Sequence, residues 1–374
     1  MDRSLNIVHV VDSLEFGGLE RVVTDLAITQ AAHGHCVTVF SINNTQGFRF
    51  VLETAGVPVV VGNKRGTLDP FVLRRLRKLA INADVVHAHN FVPNYYAAIA
   101  TLAMRQAPVL VGTCHDMGMR LANRKLRWLY RWSLTRTARV AMVGRQVHDR
   151  FVDSGIIDKM RAATVLNGVP VGRFRNSTAR RSAARTALGI APDDPVIGCV
   201  GRLVALKNHQ ILLATLPLLV RRYPTLRVVL AGDGPLGGEL RSQADKLGVA
   251  EHVHFLGAQT NIADLLPAFD IFALPSKTEG LSIALLEACA TGLAIVATAV
   301  GGNSEIISDG RTGRLVPVDD GIALSSALDD LLGNPFTRIR LGTAASAWVE
   351  AHASVDALRV AYDAFYHEAH NSKA

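Results

Sequence analysis

Short runs of β-branched residues alternate with longer helical patterns along this chain, and the alternation occurs twice. The first set of runs covers residues 7–11, 37–40, 57–61, 84–88, 109–112 and 140–143. The second set covers residues 196–200, 227–231, 253–255, 271–274, 294–297 and 313–316. Such alternation is typical of parallel sheets covered by helices. Because ligands of these sheets bind beyond the carboxyl ends of the strands, we expect chemistry in the residues that follow each run.

The chain length of 374 residues favours two domains, since chains beyond about 250 to 300 residues usually divide into separate cores. We therefore predict an α/β protein of two Rossmann-like domains that face each other across a cleft. The first domain covers residues 1–170 and the second covers 196–350. The polar, Arg-rich interval 171–195 is predicted to be a linker.

Charge and cysteine content restrict the class of protein further. The net charge of +8 favours anionic partners, but no nucleic-acid-binding motif accompanies it, so we expect no nucleic-acid partner. The four cysteines are far apart and form no metal or disulfide pattern, and the first apolar run, 7–11, is too short for a secretory signal. We expect a cytoplasmic protein. The apolar stretch 283–300 contains Glu287 and a Thr-Gly break, so we interpret it as a buried helix, turn and strand rather than a membrane span.

Two glycines, Gly17 and Gly18, follow the first predicted strand and precede a helical stretch. Bare backbone at the positive end of a helix can approach a diphosphate or a reacting sugar, although a plain strand-to-helix turn fits this segment equally well. The loop lacks the G-x-G-x-x-G spacing of a dinucleotide site, which argues against a dehydrogenase.

Histidines gather at the ends of two neighbouring strands in the first half. His87 and His89 end one strand, and His115 with Asp116 follows the next. Such a cluster is compatible with a metal ion, with hydrogen bonds to sugar hydroxyls, or with structural histidines whose hydrogen bonds are satisfied. Of these histidines, His115 is our main candidate for a functional role.

Cations and carboxylates mark the strand ends of the second half. Arg202 and Lys207 follow its first strand, where they can neutralise the phosphates of a leaving nucleotide. Glu279 and Glu287 bracket a predicted helix start, and we expect both on one helical face, with free N–H groups at Gly280, Leu281 and Ser282. Carboxylates placed in this way suit binding of sugar and ribose hydroxyls better than the opposed attack of a glycosidase.

Together these segments resemble the retaining GT-B glycosyltransferases of family four, whose signature is a Glu, seven residues and a second Glu. Glu279 and Glu287 have that spacing. The resemblance covers nearly the whole chain, because the early Gly-Gly loop, the His-Asp strand end, the Gly-Arg and Lys pair, the turn 232–235 and the segment 301–305 occur in the same order.

This resemblance implies an enzyme that transfers a hexose-type sugar from a UDP- or GDP-sugar to a saccharide or polyprenyl-linked acceptor, in polysaccharide or glycolipid biosynthesis. The first domain would bind the acceptor and the second the nucleotide-sugar, and residues 351–374 would form a helix that crosses back to the first domain. By the same resemblance, Glu279 contacts the transferred sugar, Glu287 the ribose, and Arg202 and Lys207 the diphosphate. Gly17, Gly18 and the backbone of 280–282 would complete the anion pocket, and His115 would lie beside the sugar.

No cofactor and no metal ion are expected, since the resemblance implies metal-independent transfer and the chain has no Asp-x-Asp motif. The alternative function is that of a non-hydrolysing sugar-nucleotide epimerase, which can share the two-domain architecture. Residues 119–139 mix cations with the aromatic residues Trp128, Tyr130 and Trp132. This segment suits either docking at the inner face of the membrane or an ordinary covering helix whose Trp and Leu side chains face the sheet.

Overall fold

A computed structural model of the protein describes residues 4–115 and 123–372. The chain divides into two compact units. The first unit comprises residues 1–168 together with 355–374, and the second comprises residues 169–354. Each unit is built on its own parallel sheet.

The first unit alternates strands and helices. Its strands are β1 Asn6–Val11, β2 Cys36–Ser41, β3 Val59–Val61, β4 Val85–His89, β5 Val109–Cys114, β6 Arg139–Met142 and β7 Ala162–Thr164. Its helices are α1 Gly18–Ala32, α2 Arg49–Thr54, α3 Pro70–Ala80, α4 Phe91–Ala100, α5 Arg124–Thr135, α6 Arg145–Asp153 and, after the second unit, α16 Val355–Asn371.

The strands of the first unit are ordered β3-β2-β1-β4-β5-β6-β7, and every pair is parallel. The chain changes winding direction between β1 and β4, which are neighbours and place His9 opposite His87. Valine is the commonest residue among the buried strand positions, as expected where helices cover both faces. One apolar cluster lies under α3, α4, α5 and α6, and another lies under α1 and α2.

The second unit repeats the pattern with six strands. They are β8 Val196–Val200, β9 Arg227–Ala231, β10 Val253–Gly257, β11 Ile271–Leu274, β12 Ala294–Thr298 and β13 Arg314–Val316. The helices are α7 Val171–Phe174, α8 Thr178–Leu188, α9 His209–Arg222, α10 Gly237–Lys246, α11 Ile262–Leu265, α12 Ile283–Thr291, α13 Asn303–Ile306, α14 Gly321–Gly333 and α15 Pro335–His352.

The second sheet has the order β10-β9-β8-β11-β12-β13, so its change of winding direction lies between β8 and β11. Counted from the first strand of each unit, both sheets contain the order 3-2-1-4-5-6 of a Rossmann fold. Ligands of such sheets bind at the carboxyl edge beside the change of direction. A ligand is therefore expected at the ends of β1 and β4 in the first unit and at the ends of β8 and β11 in the second.

The stretch 283–300 is a buried helix and strand, as predicted. Helix α12 ends at Gly292, which has a left-handed backbone (φ +82), and β12 follows two residues later. No helix within residues 4–115 and 123–372 is long and apolar enough to cross a membrane.

The structure differs from the predicted linker at 171–195. Helices α7 and α8 occupy most of this interval, and both belong to the second unit. The buried Arg185 of α8 donates to Asp270 at 2.9 Å and to the carbonyl oxygens of Ala191, Pro192 and Asp194. Arg185, one of the arginines that suggested a linker, therefore holds α8 against the second sheet. Helix α16 lies in the first unit and packs against α1.

Candidate functional site

Four loops at the carboxyl edge of the second sheet are joined by backbone hydrogen bonds, namely those after β8, β9, β11 and β12. The loop after β8 is bonded to the loop after β9 through Leu203 N and Asp233 O, at 2.9 Å. It is bonded to the loop after β11 through Lys277 N and Leu206 O, at 2.8 Å. These bonds fix the positions of side chains that come from different parts of the sequence.

Glycines allow these loops to approach each other closely. A Cβ at Gly232 would lie 1.9 Å from the carbonyl oxygen of Gly201, and a Cβ at Gly301 would lie 1.8 Å from that of Glu279. Gly302 N also donates to Gly280 O at 2.7 Å. The turn 232–235 thus has a packing role.

Lys207 and Glu279 form an ion pair at this edge. Lys207 Nζ donates to Glu279 Oε1 at 2.6 Å, and the Ser276 hydroxyl donates to the same oxygen at 2.6 Å. The side chains are 22% and 9% exposed, respectively. Among the described residues, no hydrogen bond reaches the second carboxylate oxygen, Oε2. One oxygen of Glu279 is therefore anchored while the other is left to accept from a ligand hydroxyl.

Arg202 lies on the same loop as Lys207 and is exposed. No carboxylate of the described residues lies within ion-pair distance of its guanidinium. The stem of Lys207 packs over Gly201, with its carbons about 3.6 Å from the position of a Cβ there. The loop after β8 thus offers one paired and one unpaired cation.

The two glutamates of the signature do not share a helical face, so that prediction is wrong. Helix α12 begins at Ile283, and Glu279 lies in the loop before it, whereas the partly buried Glu287 lies in its second turn. Ser282 is the N-cap, and its hydroxyl accepts from Leu285 N. In the described part of the chain, the N–H groups of Gly280, Leu281 and Ser282 donate to no protein acceptor.

In the first unit, Gly17 and Gly18 form the N-terminal end of α1. The carboxyl of Glu20 lies over this end, because a Cβ at Gly17 would meet Glu20 Oε2 at 2.3 Å. Burial raises the pKa of Glu20, and the charges of Asp12 and Glu15 raise it further. Three carboxyl groups around one helix end disfavour a diphosphate, so this loop suits a neutral sugar better.

A chain of hydrogen bonds leads from the interior of the first unit to His115. Gln30 Oε1 and His9 Nε2 are 2.7 Å apart, His9 Nδ1 and His89 Nε2 are 3.0 Å apart, and His89 Nδ1 and His115 Nε2 are 3.2 Å apart. Burial lowers the pKa of His9 to about 4 and that of His115 to about 3, and lowers the pKa of His89 well below its usual value. These rings are therefore neutral at pH 7.

His115 is held at its backbone as well. Its N–H donates to Asn90 Oδ1 at 2.8 Å, and Asn90 has the left-handed backbone (φ +69) that non-glycine residues seldom adopt. The residue His115 is partly exposed, whereas His9 and His89 are buried. It is thus the member of the chain that a ligand can reach. Asp116, paired with it in the sequence prediction, lies outside the described residues.

His9, His87 and His89 lie close enough together to hold a metal ion. Their nitrogens are already engaged, however. His87 bonds the Tyr366 hydroxyl at 2.8 Å and Thr113 Oγ1 at 2.6 Å, and both nitrogens of His9 and of His89 belong to the chain just described. Of the three alternatives for this cluster, structural histidines with satisfied hydrogen bonds describe His9, His87 and His89 best.

Helices α3 and α5 of the first unit, both packed against the buried α4, carry exposed cations and aromatic rings. Phe71 is 78% exposed and Trp128 is 68% exposed, whereas Trp132 packs against the core. Neither helix contains Asp or Glu. We call this surface the basic face; its exposed cations are Arg74, Arg75, Lys78, Arg124, Lys125, Arg127 and Arg131. Residues 119–122 of the predicted segment lie outside the described residues.

Two family models match this chain, one in each unit. The model described as Glycosyltransferase Family 4 matches residues 16–173, and the model described as Glycosyl transferases group 1 matches residues 180–348. Putative glycosyltransferase EpsF of Bacillus subtilis is 31% identical over 296 residues, which cover 76% of this chain and 70% of that protein. The chain belongs to glycosyltransferase family 4.

Among other relatives, the GDP-mannose-dependent alpha-(1-6)-phosphatidylinositol monomannoside mannosyltransferase of Mycolicibacterium smegmatis is 34% identical over 239 residues. That match covers 58% of this chain and 62% of the relative. A D-inositol 3-phosphate glycosyltransferase of Corynebacterium urealyticum is 37% identical, with 46% of its length covered. The matches to these two proteins thus span less than two thirds of each. None of these matches supports the epimerase alternative.

Solved structures show which fold the family 4 chain adopts. Anabaena Alr3699/HepE, in complex with UDP, has a TM-score of 0.86 at 22% identity, with 97% of this chain and 100% of that chain covered. The glycosyltransferase WaaG has a TM-score of 0.74 with 96% of this chain covered. The fold is therefore GT-B, with two Rossmann-like domains, as predicted. The first and second units are called the first and second domains below.

Sequence reasoning missed three residues that support His115, namely His9, Gln30 and Asn90. A signal existed for His9, which is a polar residue inside the apolar run 7–11. The spacing of apolar residues in helix α1 predicts neither that Gln30 is buried nor that it bonds to His9. The unusual backbone of Asn90 has no signature in the sequence.

Proposed function

We propose that this protein is a retaining glycosyltransferase that moves a hexose-type sugar from a UDP- or GDP-sugar to a saccharide or polyprenyl-linked acceptor. The product would belong to a polysaccharide or a glycolipid. The observation that carries the proposal is the Lys207–Glu279 pair at the carboxyl edge of the second sheet. It combines a cation for phosphate with a carboxylate oxygen for a sugar hydroxyl.

The grip on the diphosphate is assigned to the loop after β8. Lys207 has three N–H donors, one of which is bonded to Glu279, so two remain for phosphate oxygens. Arg202 adds a planar fork that matches phosphate geometry. The N–H groups of 280–282 at the start of α12 add partial positive charge. These groups stabilise the negative charge that develops on the leaving phosphate as the bond to the sugar breaks.

The remaining residues orient the sugars. Glu279 Oε2 accepts from a hydroxyl of the transferred hexose, and Glu287 accepts from the ribose. Gly17 and Gly18 give a sugar close access to backbone, in a loop whose carboxyl groups disfavour a diphosphate. His115, which is partly exposed, bonds a hydroxyl of the sugar substrate with its ring.

Retention follows if the leaving phosphate serves as the base. The acceptor oxygen forms its bond to the anomeric carbon on the face from which the diphosphate departs. The bond between that carbon and the phosphate oxygen breaks, and the acceptor proton passes to the phosphate oxygen. Since this route needs neither a protein nucleophile nor a bound metal ion, we propose that no cofactor takes part.

Relatives support both candidate donor bases. Alr3699/HepE has been solved with UDP and with UDP-glucose, whereas the mycobacterial relative is named as GDP-mannose-dependent. That relative is also named for a phosphatidylinositol monomannoside, a lipid-linked saccharide. The donor panel below therefore has to include both bases.

We further propose that the basic face contacts an anionic membrane surface. Two exposed aromatic rings, Phe71 and Trp128, lie among seven exposed cations on helices without acidic residues. Aromatic rings favour the interface and cations are attracted to anionic headgroups, at about 1 kcal/mol per Lys or Arg near the surface. This contact would bring the first domain to a lipid-linked acceptor.

The test of transfer is a panel of UDP- and GDP-hexoses, incubated with saccharide and polyprenyl-linked acceptors. We expect release of the nucleotide diphosphate only with a matching acceptor, and a product with the anomeric configuration of the donor by NMR. Activity should persist in EDTA. Glu279→Ala should abolish transfer, whereas Glu251→Ala, which removes an exposed carboxylate of the same domain, should not.

Three outcomes would contradict this proposal. An inverted product would exclude retention, loss of activity in EDTA would exclude the metal-free route, and conversion of the donor alone to an epimer would favour the epimerase. Near-normal turnover by Glu279→Ala would remove Glu279 from the site.

Membrane contact is tested by sedimentation with vesicles of phosphatidylglycerol and phosphatidylcholine. We expect binding that rises with the phosphatidylglycerol fraction and falls with salt. Phe71→Asp and Trp128→Asp should each weaken it. Phe336→Asp is the matched control, because Phe336 is 80% exposed on the second domain. Equal losses in all three variants would exclude the basic face as the contact.

A further inference from the structure

The hydrogen-bond chain from Gln30 to His115 has a direction. Gln30 Nε2 donates to the Tyr366 hydroxyl oxygen at 3.3 Å, so Oε1 is the atom that faces His9 Nε2. An amide oxygen can only accept, and His9 Nε2 must therefore carry a proton. The Tyr366 hydroxyl lies 2.8 Å from His87 Nδ1 and donates its proton to that nitrogen. The hydroxyl oxygen can therefore accept from Gln30.

Each neutral imidazole passes this direction to the next. A neutral ring has one N–H donor and one acceptor nitrogen. With Nε2 of His9 protonated, its Nδ1 accepts from His89 Nε2–H, and His89 Nδ1 in turn accepts from His115 Nε2–H. Burial keeps the rings neutral by lowering their pKa values. The direction is lost if any ring in the chain gains a second proton.

We propose that Gln30, His9 and His89 are positioning residues that fix His115 as its Nε2–H tautomer, so that Nδ1 presents a lone pair to a hydroxyl of the sugar substrate. The assignment of the tautomer rests on the hydrogen bonds between buried, neutral rings. The role toward the sugar rests on the proposed function.

Packing supports a fixed orientation as well as a fixed tautomer. The rings of His87 and His89 have centroids 4.1 Å apart, and His9 lies 5.1 Å and 5.3 Å from them. Asn90 holds the backbone of His115 from the other side. A ring held in this way cannot exchange its two nitrogens by a flip without breaking the bond to His89.

The tautomer is tested by long-range 1H–15N correlation NMR of the full-length protein with 15N-labelled histidine. In the free protein at pH 7 we expect the resonance of His115 to show a protonated Nε2 and an unprotonated Nδ1. Assignment comes from loss of the signal in His115→Gln. A protonated Nδ1 in the wild-type protein would overturn the proposal. So would a metal ion bound in one-to-one ratio by elemental analysis, since it would replace the hydrogen bonds.

Variants of Gln30 test its control over His115. Gln30→Met cannot accept the bond from His9, so we expect a mixture of His115 tautomers and a kcat lowered about tenfold, which corresponds to roughly one hydrogen bond. Gln30→Glu keeps an acceptor at that point and should retain the wild-type tautomer and most of kcat. Gln243→Met, which removes an amide of the second domain, is the matched control.

Failure of this inference can be told apart from failure of the proposed function. Binding of UDP or GDP by calorimetry should be unchanged in Gln30→Met, because the diphosphate grip lies in the second domain. A wild-type His115 spectrum and unchanged kcat in a folded Gln30→Met would contradict the positioning role alone. A correct tautomer in a protein that transfers no sugar would contradict the proposed function alone.

Discussion

The two domains repeat one winding, yet their carboxyl edges differ in chemistry. In the first domain the strands beside the change of direction carry neutral rings, His9 on β1 and His89 on β4. In the second domain the corresponding loops carry charges, Lys207 after β8 and Glu279 after β11. The first edge carries neutral rings joined by directed hydrogen bonds, beside the carboxyl groups of the loop after β1, whereas the second edge carries the cations that we propose for the diphosphate.

On the proposed function, the difference lets one fold divide the work of transfer. A hydrogen-bond network of neutral side chains has no net charge that salt could screen or another charge could repel. It stabilises the fold only if every polar group in it has a hydrogen-bond partner. An ion pair at the surface is reached by an anionic ligand and can exchange partners with it. The contrast predicts that substitutions in the second domain affect binding of the diphosphate, whereas those in the first affect orientation and acid stability.

The largest effect is expected from Lys207→Met. Loss of this cation removes a donor to the leaving phosphate, and removal of one such donor typically lowers kcat by about 100- to 1000-fold. Steady-state kinetics with the preferred nucleotide-sugar, and calorimetry with its nucleotide diphosphate, would measure it. Lys246→Met, which removes an exposed lysine of the same domain, is the control. Equal kinetics in the two variants would show that the ion pair has a structural role only.

Acid should unfold the first domain before the second. The pKa of His9 is lowered by burial to about 4 from an unfolded value near 6.5, so the unfolded chain binds more protons between these values. The contribution of His9 to the free energy of unfolding is therefore fully present above pH 6.5 and is lost as the pH falls toward 4. For His9 alone the loss is about 3 kcal/mol. His87, His89 and His115 act in the same direction. In the second domain, the pKa of His209 and of His254 is lowered.

Tryptophan fluorescence can separate the domains in this experiment. Trp128 and Trp132 belong to the first domain and Trp348 to the second. Trp348→Phe therefore reports on the first domain, and the double variant Trp128→Phe/Trp132→Phe reports on the second. We expect the urea midpoint of the first domain to fall more steeply between pH 7 and pH 4. Parallel curves for the two domains would contradict the contrast.

A smaller effect is expected from Gly301→Ala in the second domain. The new Cβ would lie 1.8 Å from Glu279 O, and φ is +51, which costs an alanine about 1 to 2 kcal/mol. Gly310→Ala is the matched control, because φ is +70 there but the nearest atom is 3.7 Å away. Both should lower the melting temperature, and only Gly301→Ala should also lower kcat by moving Glu279. Equal loss of kcat in both would contradict this coupling of loops.

Alternation in the sequence predicted both sheets, and the order of motifs predicted the family. The alternation also placed His115, Lys207 and Glu279 after the strands that they follow in the structure. The common helical face for Glu279 and Glu287 was wrong because Ser282 caps the helix after Glu279. Arg185 was placed in a linker because composition does not reveal that its guanidinium bonds four carbonyl oxygens. Features that depend on a cap or on a buried hydrogen bond are set by tertiary contacts and escape local patterns.

The smallest effect on stability is expected from Asn90→Gly in the first domain. Glycine relieves a backbone conformation (φ +69, ψ −170) that costs a non-glycine residue about 1 to 3 kcal/mol. It also loses the bond from Asn90 Oδ1 to His115 N and makes the unfolded chain more flexible, at a cost of about 1 kcal/mol each, so the contributions largely offset each other. The backbone of His115 would nevertheless lose its support. We therefore expect a nearly unchanged melting temperature together with a lowered kcat.

Asn63→Gly is the matched control for that variant. Asn63 also has a left-handed backbone in the first domain (φ +57), and its side chain is exposed. It isolates the effect of φ, so its melting temperature should not fall and its kcat should be unchanged. If Asn90→Gly likewise leaves kcat unchanged, the ring hydrogen bonds to His89 suffice to orient His115. The neutral edge would then depend on side-chain bonds alone, whereas the charged edge relies on backbone bonds between loops.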